Sequence, residues 1–455
     1  MSVLPDAISE SLDYNNIKRR AVASRSYRVK IAPSNNQNFG PSGTINFDLP
    51  SNLAGTFIDF SQCYLRFNVS FSGTNASAYL PKCGAYSLMQ RVQCVTSGQS
   101  IFDLNNYNVL AACLMDTDTS QEWRSNIGNV LTGTMGAVPR GEYVDNTTTR
   151  TYCLPFVLHP LAMQKKLVPL FSLDSLRFRI ILDTATNALI AQNGTPSFTI
   201  TEAEMVCYFT ELSPSAMAEV NAMTGGVYQL LCPSYMNTGT SMAASATTAS
   251  SVTATLGVAV SSLERIIVVH RNQASAVAGY DSIGARITNN IQTVQFFINS
   301  EAYPMRPINF ADAGAEVLAE YLISDHALSD FTKTSMIQSQ VNVSFANMEA
   351  QYAVANIKGA ATTQAWIQAT TSGDIVKGND TMTIGSFLIS LELEAGTSSN
   401  FSDRLYSGLS TISSVVQYKG TYAAGAIAAN IDFFAHFTVL LVLDMNRLGV
   451  WQISM

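Results

Sequence analysis

The side chains of this sequence that could do chemistry are few and far apart. Its four histidines, His159, His270, His326 and His436, stand singly, with no H-x-H, H-E-x-x-H or H-x-x-x-H among them. A metal centre on a β scaffold needs imidazole and carboxylate ligands converging from adjacent strands. Each histidine therefore reads as a hydrogen-bonded or surface residue. Asp116-Thr117-Asp118 with Glu122 offers carboxylates that could hold Ca²⁺. It lacks the glycine and the bidentate spacing of a dedicated loop, and reads as a solvated helix end. Asp312 to Glu316 is ordinary helix capping. No G-x-S-x-G, Walker loop or paired-glycine fingerprint follows a strand. The sequence assigns no catalytic residue and no metal ligand, and it calls for no cofactor.

The seven cysteines, Cys63, Cys83, Cys94, Cys113, Cys153, Cys207 and Cys232, are an odd number without a C-x-x-C pair. Several occupy apolar strand or helix positions, which favours buried free thiols and assembly in a reducing compartment. Asp6, Glu10 and Asp13 stand where a secretory leader would place basic and then apolar residues, so a soluble, non-secreted protein is expected. No apolar run reaches the ~18 residues needed to cross a bilayer as a helix. The seven N-x-S/T sequons then carry no glycosylation meaning.

Charge is concentrated in one place. Lys18, Arg19, Arg20, Arg25, Arg28 and Lys30 form a basic cluster after an acidic start. Residues 1–30 read either as a solvated tail or as an arm that reaches a neighbouring subunit, a membrane surface or packaged nucleic acid. Elsewhere the chain is sparse in charge, with 13% charged residues and a net charge of −7. That balance argues against a dedicated nucleic-acid binder. A low-charge surface suits a protein whose sides are covered by neighbours, because charges paired across an interface return little after desolvation.

The elements are strands, and they repeat. At 455 residues the chain suits two domains of roughly 200 residues each. Within 88–115, Val92, Cys94 and Thr96 alternate with Arg91 and Gln93; Ser97-Gly98 then makes a turn. Asn105-Asn106 offers helix caps before Tyr107, Leu110, Ala111 and Leu114 on one helical face. About two hundred residues later Val294, Phe296 and Ile298 share a strand face and Asn299-Ser300 breaks it. A helix carrying Leu318, Tyr321 and Leu322 follows Asp312. Alternation marks further strands at Ile45–Leu49, Leu65–Phe71, Leu176–Leu182, Val341–Phe345 and Phe387–Leu393, and 431–443 is apolar on both faces, as a central strand requires. Residues 116–150 read as a loop-rich excursion, 213–226 as a linker and 238–262 as a low-complexity loop with one weak strand. The expected division is an arm at 1–30, a first unit at 31–212, the linker, and a second unit at 227–455. The fold class is all-β: two tandem eight-stranded antiparallel jelly rolls, each with a short helix in a connecting loop.

Several stretches resemble the double-jelly-roll major capsid proteins of tailless icosahedral DNA viruses, the lineage of polinton-like viruses, virophages and nucleocytoplasmic large DNA viruses. They are Ile58-Asp59-Phe60 leading into Tyr64-Leu65-Arg66-Phe67, and Arg91-Val92 running into Asn106-Tyr107-Asn108-Val109-Leu110. In the second half they are Tyr303-Pro304-Met305-Arg306-Pro307-Ile308, and 433–444. The resemblance implies a homotrimer whose six jelly rolls form a pseudo-hexagonal tile of an icosahedral virion shell. It also implies assembly inside the host cell, minor capsid or penton proteins as partners, and an inward-facing arm. Lys18, Arg19, Arg20 and Arg25 would then contact an internal membrane, the genome or the inner shell. The alternatives are a penton, spike or carbohydrate-binding protein on the same scaffold, which should gather aromatic residues on one loop set, and an enzyme on a jelly roll. The three tryptophans are dispersed, and no ligand set exists for the second.

Overall fold

The computed structural model describes residues 24–454, apart from 135–142, 145–148, 274–282, 311–314, 325–383, 395–407, 445–450 and a few shorter loop positions. Eight longer strands, with shorter ones between them, frame the first unit: β1 (Ser24–Ile31), β2 (Thr44–Leu49), β3 (Tyr64–Ser72), β4 (Met89–Thr96), β5 (Gln99–Asn105), β6 (Thr149–Pro155), β7 (Leu176–Leu182) and β8 (Ser197–Leu212). In one sheet β8 lies between β1 and β3, with β6 beyond β3; the other runs β2-β7-β4-β5. The second unit holds β9 (Val227–Met242), β10 (Ser250–Leu256), β11 (Leu263–Asn272), β12 (Ile291–Ile298), β13 (Glu301–Asn309), β14 (Ile389–Glu392), β15 (Val416–Tyr422) and β16 (Ala429–Asp444). Its sheets run β9-β16-β11-β14 and β10-β15-β12-β13. Adding eight to every label of the first unit gives the second. These pairings are antiparallel, and the order is that of a jelly roll.

The alternation read from the sequence becomes a wet face and a dry face. Along β3, Leu65, Phe67, Val69 and Phe71 are buried while Arg66, Asn68 and Ser70 are half-exposed. Across the other sheet Phe178 of β7 stands opposite both Phe47 of β2 and Cys94 of β4, which stacks apolar side chains on one face. Val92, Val294, Ile389 and Phe437 are buried in the same contiguous core. Every residue of 431–439 in β16 is buried, and β9 and β11 pair with its two edges. Each such large apolar side chain contributes roughly 1.5–3 kcal/mol when fully buried.

The repeated unit is a hairpin followed by a helix. Asn299 and Ser300 both have positive φ, 51° and 72°, and join β12 to β13 as a two-residue turn of the kind that matches strand twist. β5 fills the space between the first turn and its helix, where the sequence pattern placed only the caps. α1 (Tyr107–Asp118) follows β5; α2 (Pro214–Thr224) precedes β9; α3 (Ala315–Ser324) follows β13.

Several expectations need correction. The connecting segment 213–226 is not a plain loop but carries a helix, because Ser213 caps α2, Pro214 occupies its first turn and Gly225 ends it at φ 60°. The 116–150 excursion contains helices at Gln121–Ser125 and Ile127–Thr132. The Ser/Thr-rich stretch after 238 holds the expected weak strand as β10 and also the end of β9, where hydrogen bonding to β15 and β16 overrides its weak hydrophobic pattern. Phe387 to Leu391 is buried throughout rather than alternately, since α3 packs on β14. The strand expected at Val341–Phe345 and the histidine His326 lie outside the described residues.

Candidate functional site

The described histidines are structural. His159 is buried among Phe60, Phe102, Phe156 and Phe178, and its Nδ1 accepts the Leu161 N–H at 3.2 Å. His270 is also buried, with Nε2 2.8 Å from the Tyr422 hydroxyl. Burial pushes both imidazoles down to about 3. His436 pairs through Nδ1 with Glu264 at 2.9 Å, and Thr438 donates its hydroxyl to the same carboxylate. Glu264 reaches them because it is the extra residue of a bulge between Leu263 and Arg265. Of the seven thiols, six are buried and Cys153 is half-buried; burial pushes Cys232 up to about 12. Among the described residues no three His, Cys, Asp or Glu side chains gather to hold a metal ion.

Polar side chains converge instead where the two sandwiches meet. Asn106, expected as a helix cap, makes no capping bond with its side chain. It takes a left-handed φ of 50°, and its Nδ2 donates to Asp432 Oδ1 at 2.8 Å. The other oxygen of Asp432 accepts from Arg271 Nε at 2.7 Å and Nη2 at 2.6 Å. Asp183 accepts from Asn108 Nδ2 at 2.7 Å; its burial raises its pKa against the pull of Arg271. Arg286, wholly buried, donates to Cys113 Sγ of α1 at 3.3 Å. Nearby, Arg265 donates to the Tyr235 hydroxyl at 3.2 Å. Burial works against the Arg265 charge, yet Tyr235, Tyr321 and Asp118 hold its pKa above the usual value.

Apolar contacts complete the joint. Phe57 and Phe171 meet Tyr228 edge-on, with centroids 6.4 and 5.6 Å away. A cavity of about 380 Å³ in the first unit, lined by Phe60, Leu114, Met115, Phe156 and Leu158 among others, is bordered by Tyr235 of the second. β5 and the short helix Pro160–Met163 both pack on β9, and Lys166 Nζ donates to the Gln229 carbonyl at 3.2 Å. A buried charge network of this kind adds little net stability but fixes one orientation, because any other leaves ions unpaired. The arrangement positions two bodies relative to each other.

Lys18, Arg19 and Arg20 lie outside the described residues. Arg25 stands in β1, paired with Glu211 at 2.6 Å and lying 5.2 Å over the Tyr27 ring. Lys30 pairs with Glu204 at 2.9 Å. The last residues of the expected arm thus run along β8 as an edge strand.

No protein-family model matches this sequence, and no curated protein matches it. Solved structures do match along nearly the whole chain. The PBCV-1 protein VP54, as fitted into a reconstruction of the virophage Sputnik, superposes with a TM-score of 0.59 at 12% identity, covering 97% of this chain and 99% of that one. The Sputnik virophage structure gives 0.58 at 10% identity, covering 100% and 93%. The mavirus major capsid protein gives 0.53 at 12%, covering 100% and 96%. This chain has the double-jelly-roll fold. Within the double jelly roll, the strands and the paired helices were signalled by alternation and by the repeated strand-and-helix pattern. The joint was not: Asn106, Asp432, Arg271 and Arg286 lie far apart in sequence, and the one cue was four polar residues inside otherwise apolar elements.

Proposed function

We propose that the protein is a structural major capsid protein, which trimerises into a pseudo-hexagonal capsomer and tiles an icosahedral virion shell. The observation that carries this reading is the repetition: two jelly rolls of one strand order, held at a fixed angle, so that three chains present six similar bodies. The full-length likeness to capsid proteins of the virophages Sputnik and mavirus supports it. So does the low share of charged residues, at 13%, since a tile covers most of its flanks with its neighbours. No catalytic role is assigned. The partners in this reading are other copies of the chain, and minor or penton proteins at the places where tiles differ. Lys18, Arg19 and Arg20, with Arg25 at the head of β1, are proposed to face the inner side of the shell, toward a membrane or the genome.

Native mass spectrometry and electron microscopy of the purified chain test the proposal. Trimers, or plates and shells built from them, are expected; a chain that stays monomeric at every concentration would overturn it. Removing residues 1–23 should leave the circular dichroism and melting profile intact while impairing shell formation, because β1 begins at Ser24. A truncated chain that builds normal shells would remove the arm from the account.

A further inference from the structure

Two of the buried thiols face each other. Where β3 pairs with β8, Leu65 lies opposite Met205 and Tyr64 opposite Val206. One step further along the two chains stand Cys63 and Cys207. Cys63 enters β3 in extended backbone, φ −88° and ψ 147°, from the turn Phe60–Gln62. Cys63 is two residues from Leu65 and Cys207 two from Met205, so both side chains fall on the inner face of the sheet. Both are buried. Directly opposed residues of an antiparallel pair have Cα atoms about 4.5–5.5 Å apart, within the span of about 4.4–6.8 Å that a disulfide bridges. The two thiols are already hydrogen-bonded to each other.

The pair is unequal. Cys63 Sγ accepts the Tyr208 N–H at 3.5 Å and, as a thiol, donates to the Asp59 carbonyl at 3.1 Å. The bond from Cys207 holds the Cys63 thiol below its ordinary range, against burial and the Asp59 charge, and the Tyr208 N–H adds to the effect. Cys207 gives its proton to that bond and is pushed up by it and by burial. Cys94 and Cys232 have burial alone acting on them, and it pushes both up. Cys63 is therefore the nucleophile of the pair. Ser61 and Gln62 beside it are exposed, so a single short turn separates its sulfur from solvent, and local opening of that turn admits a small oxidant.

We propose that Cys63 and Cys207 form an oxidative modification site, at which hydrogen peroxide closes a disulfide between β8 and the segment leading into β3. The Cys63 thiolate attacks one peroxide oxygen. An S–O bond forms, the O–O bond breaks, and the departing hydroxide takes up the proton that Cys63 gave away. The Cys207 sulfur then attacks the Cys63 sulfur: the S–S bond forms, the S–O bond breaks, and the leaving hydroxide carries off the Cys207 proton. Two thiols lose two electrons, the peroxide gains them, and two waters result. The bond ties β8, the strand that holds β1 and β3 together, to the opening of β3. A cross-link over so long a loop stabilises the fold chiefly by restricting the unfolded chain. This inference does not depend on the shell-subunit reading above.

Peroxide treatment of the full chain tests it. The reduced protein is exposed to hydrogen peroxide, unfolded in N-ethylmaleimide and digested without reductant. Mass spectrometry should find one peptide pair joining Cys63 to Cys207, separated by a phosphine reductant, with Cys94 and Cys232 carrying maleimide. The melting temperature should rise by about 10 °C and fall back on reduction. Cys207→Ala should show neither change, and after peroxide its Cys63 should be captured by dimedone, which reacts with sulfenic acids. Cys63→Ala should give no such adduct at Cys207, and Cys232→Ala, equally buried, should keep both the bond and the rise. Oxidation of Met305, 93% exposed, shows that peroxide has acted. If Cys63 and Cys207 both carry maleimide at that point, or if either is joined to a different cysteine, the site is overturned. Peptide mapping of the unsubstituted chain decides this even where a variant does not fold.

Discussion

His159 offers a quantitative test of the first core. It is held neutral among four phenylalanines, whereas in the unfolded chain it titrates near 6.5. A base whose folded pKa is depressed contributes stability above its unfolded value and loses it as pH falls toward the folded one. The unfolded state gains the proton, so folding weakens by about 1.36 kcal/mol per pH unit below 6.5. At pH 4.5 the loss is about 2.7 kcal/mol. His159→Phe removes that term, and a void of about 10 Å³ beside the ring can take the extra ring atom. The substitution also strips the Leu161 N–H of its acceptor, which costs about 1.4 kcal/mol. The variant should therefore be less stable than the parent at pH 7.5, equal to it near pH 5.5 and more stable by about 1.3 kcal/mol at pH 4.5. Urea unfolding at those three pH values, followed by tryptophan fluorescence, gives the differences directly. Parallel pH profiles without a crossing would mean that His159 is charged or hydrated in the fold, and the dry-core assignment would fail.

Other residues extend the test. Burial raises Glu392 to about 7, so its contribution is fully present below about 4.5 and is lost as pH rises through 7; Glu392→Gln should stabilise the protein at pH 8 by about 2 kcal/mol after solvent screening and do little at pH 4, as thermal melts at the two pH values would register. Asp432→Ala leaves Arg271 and Asn106 without their shared carboxylate and should cost about 3 kcal/mol; limited proteolysis should then release fragments cut between the jelly rolls. Phe178→Asp buries an unpaired carboxylate on the inner strand of a sheet, flanked by β2 and β4, and should yield insoluble protein on expression. Arg25→Ala loses an exposed, screened pair and should leave the urea denaturation midpoint unchanged.

What the sequence showed and what it hid follow from range. Alternation is local, so Leu65 to Phe71 announced a half-buried strand without help from the rest of the chain. The Asn299-Ser300 break was likewise visible as the end of a strand, and the structure makes it a two-residue turn with positive φ at both positions. The Ser/Thr-rich β10 showed only as one weak strand, and its partner was hidden, since its place is set by β15, more than 150 residues away. Asn106 misled for the same reason: its amide bonds Asp432 rather than the adjacent helix, and nothing near it in sequence signals so distant a partner. The basic arm was visible as charge, but only the pairing of β1 with β8 divides its strand residues from those before Ser24.

In both jelly rolls the strand that joins the sheet together is made last. β8 and β16 each hold two or more earlier strands, and their partners must wait for them during synthesis. The first body can close once Leu212 has left the ribosome. The second holds β9 and β11 with bare edges for some 170 further residues, a span set by the numbers of β11 and β16. Such long-range pairing is slow and leaves sticky edges exposed. Translation speed and chaperone supply over that interval should therefore set how much folded protein a cell obtains.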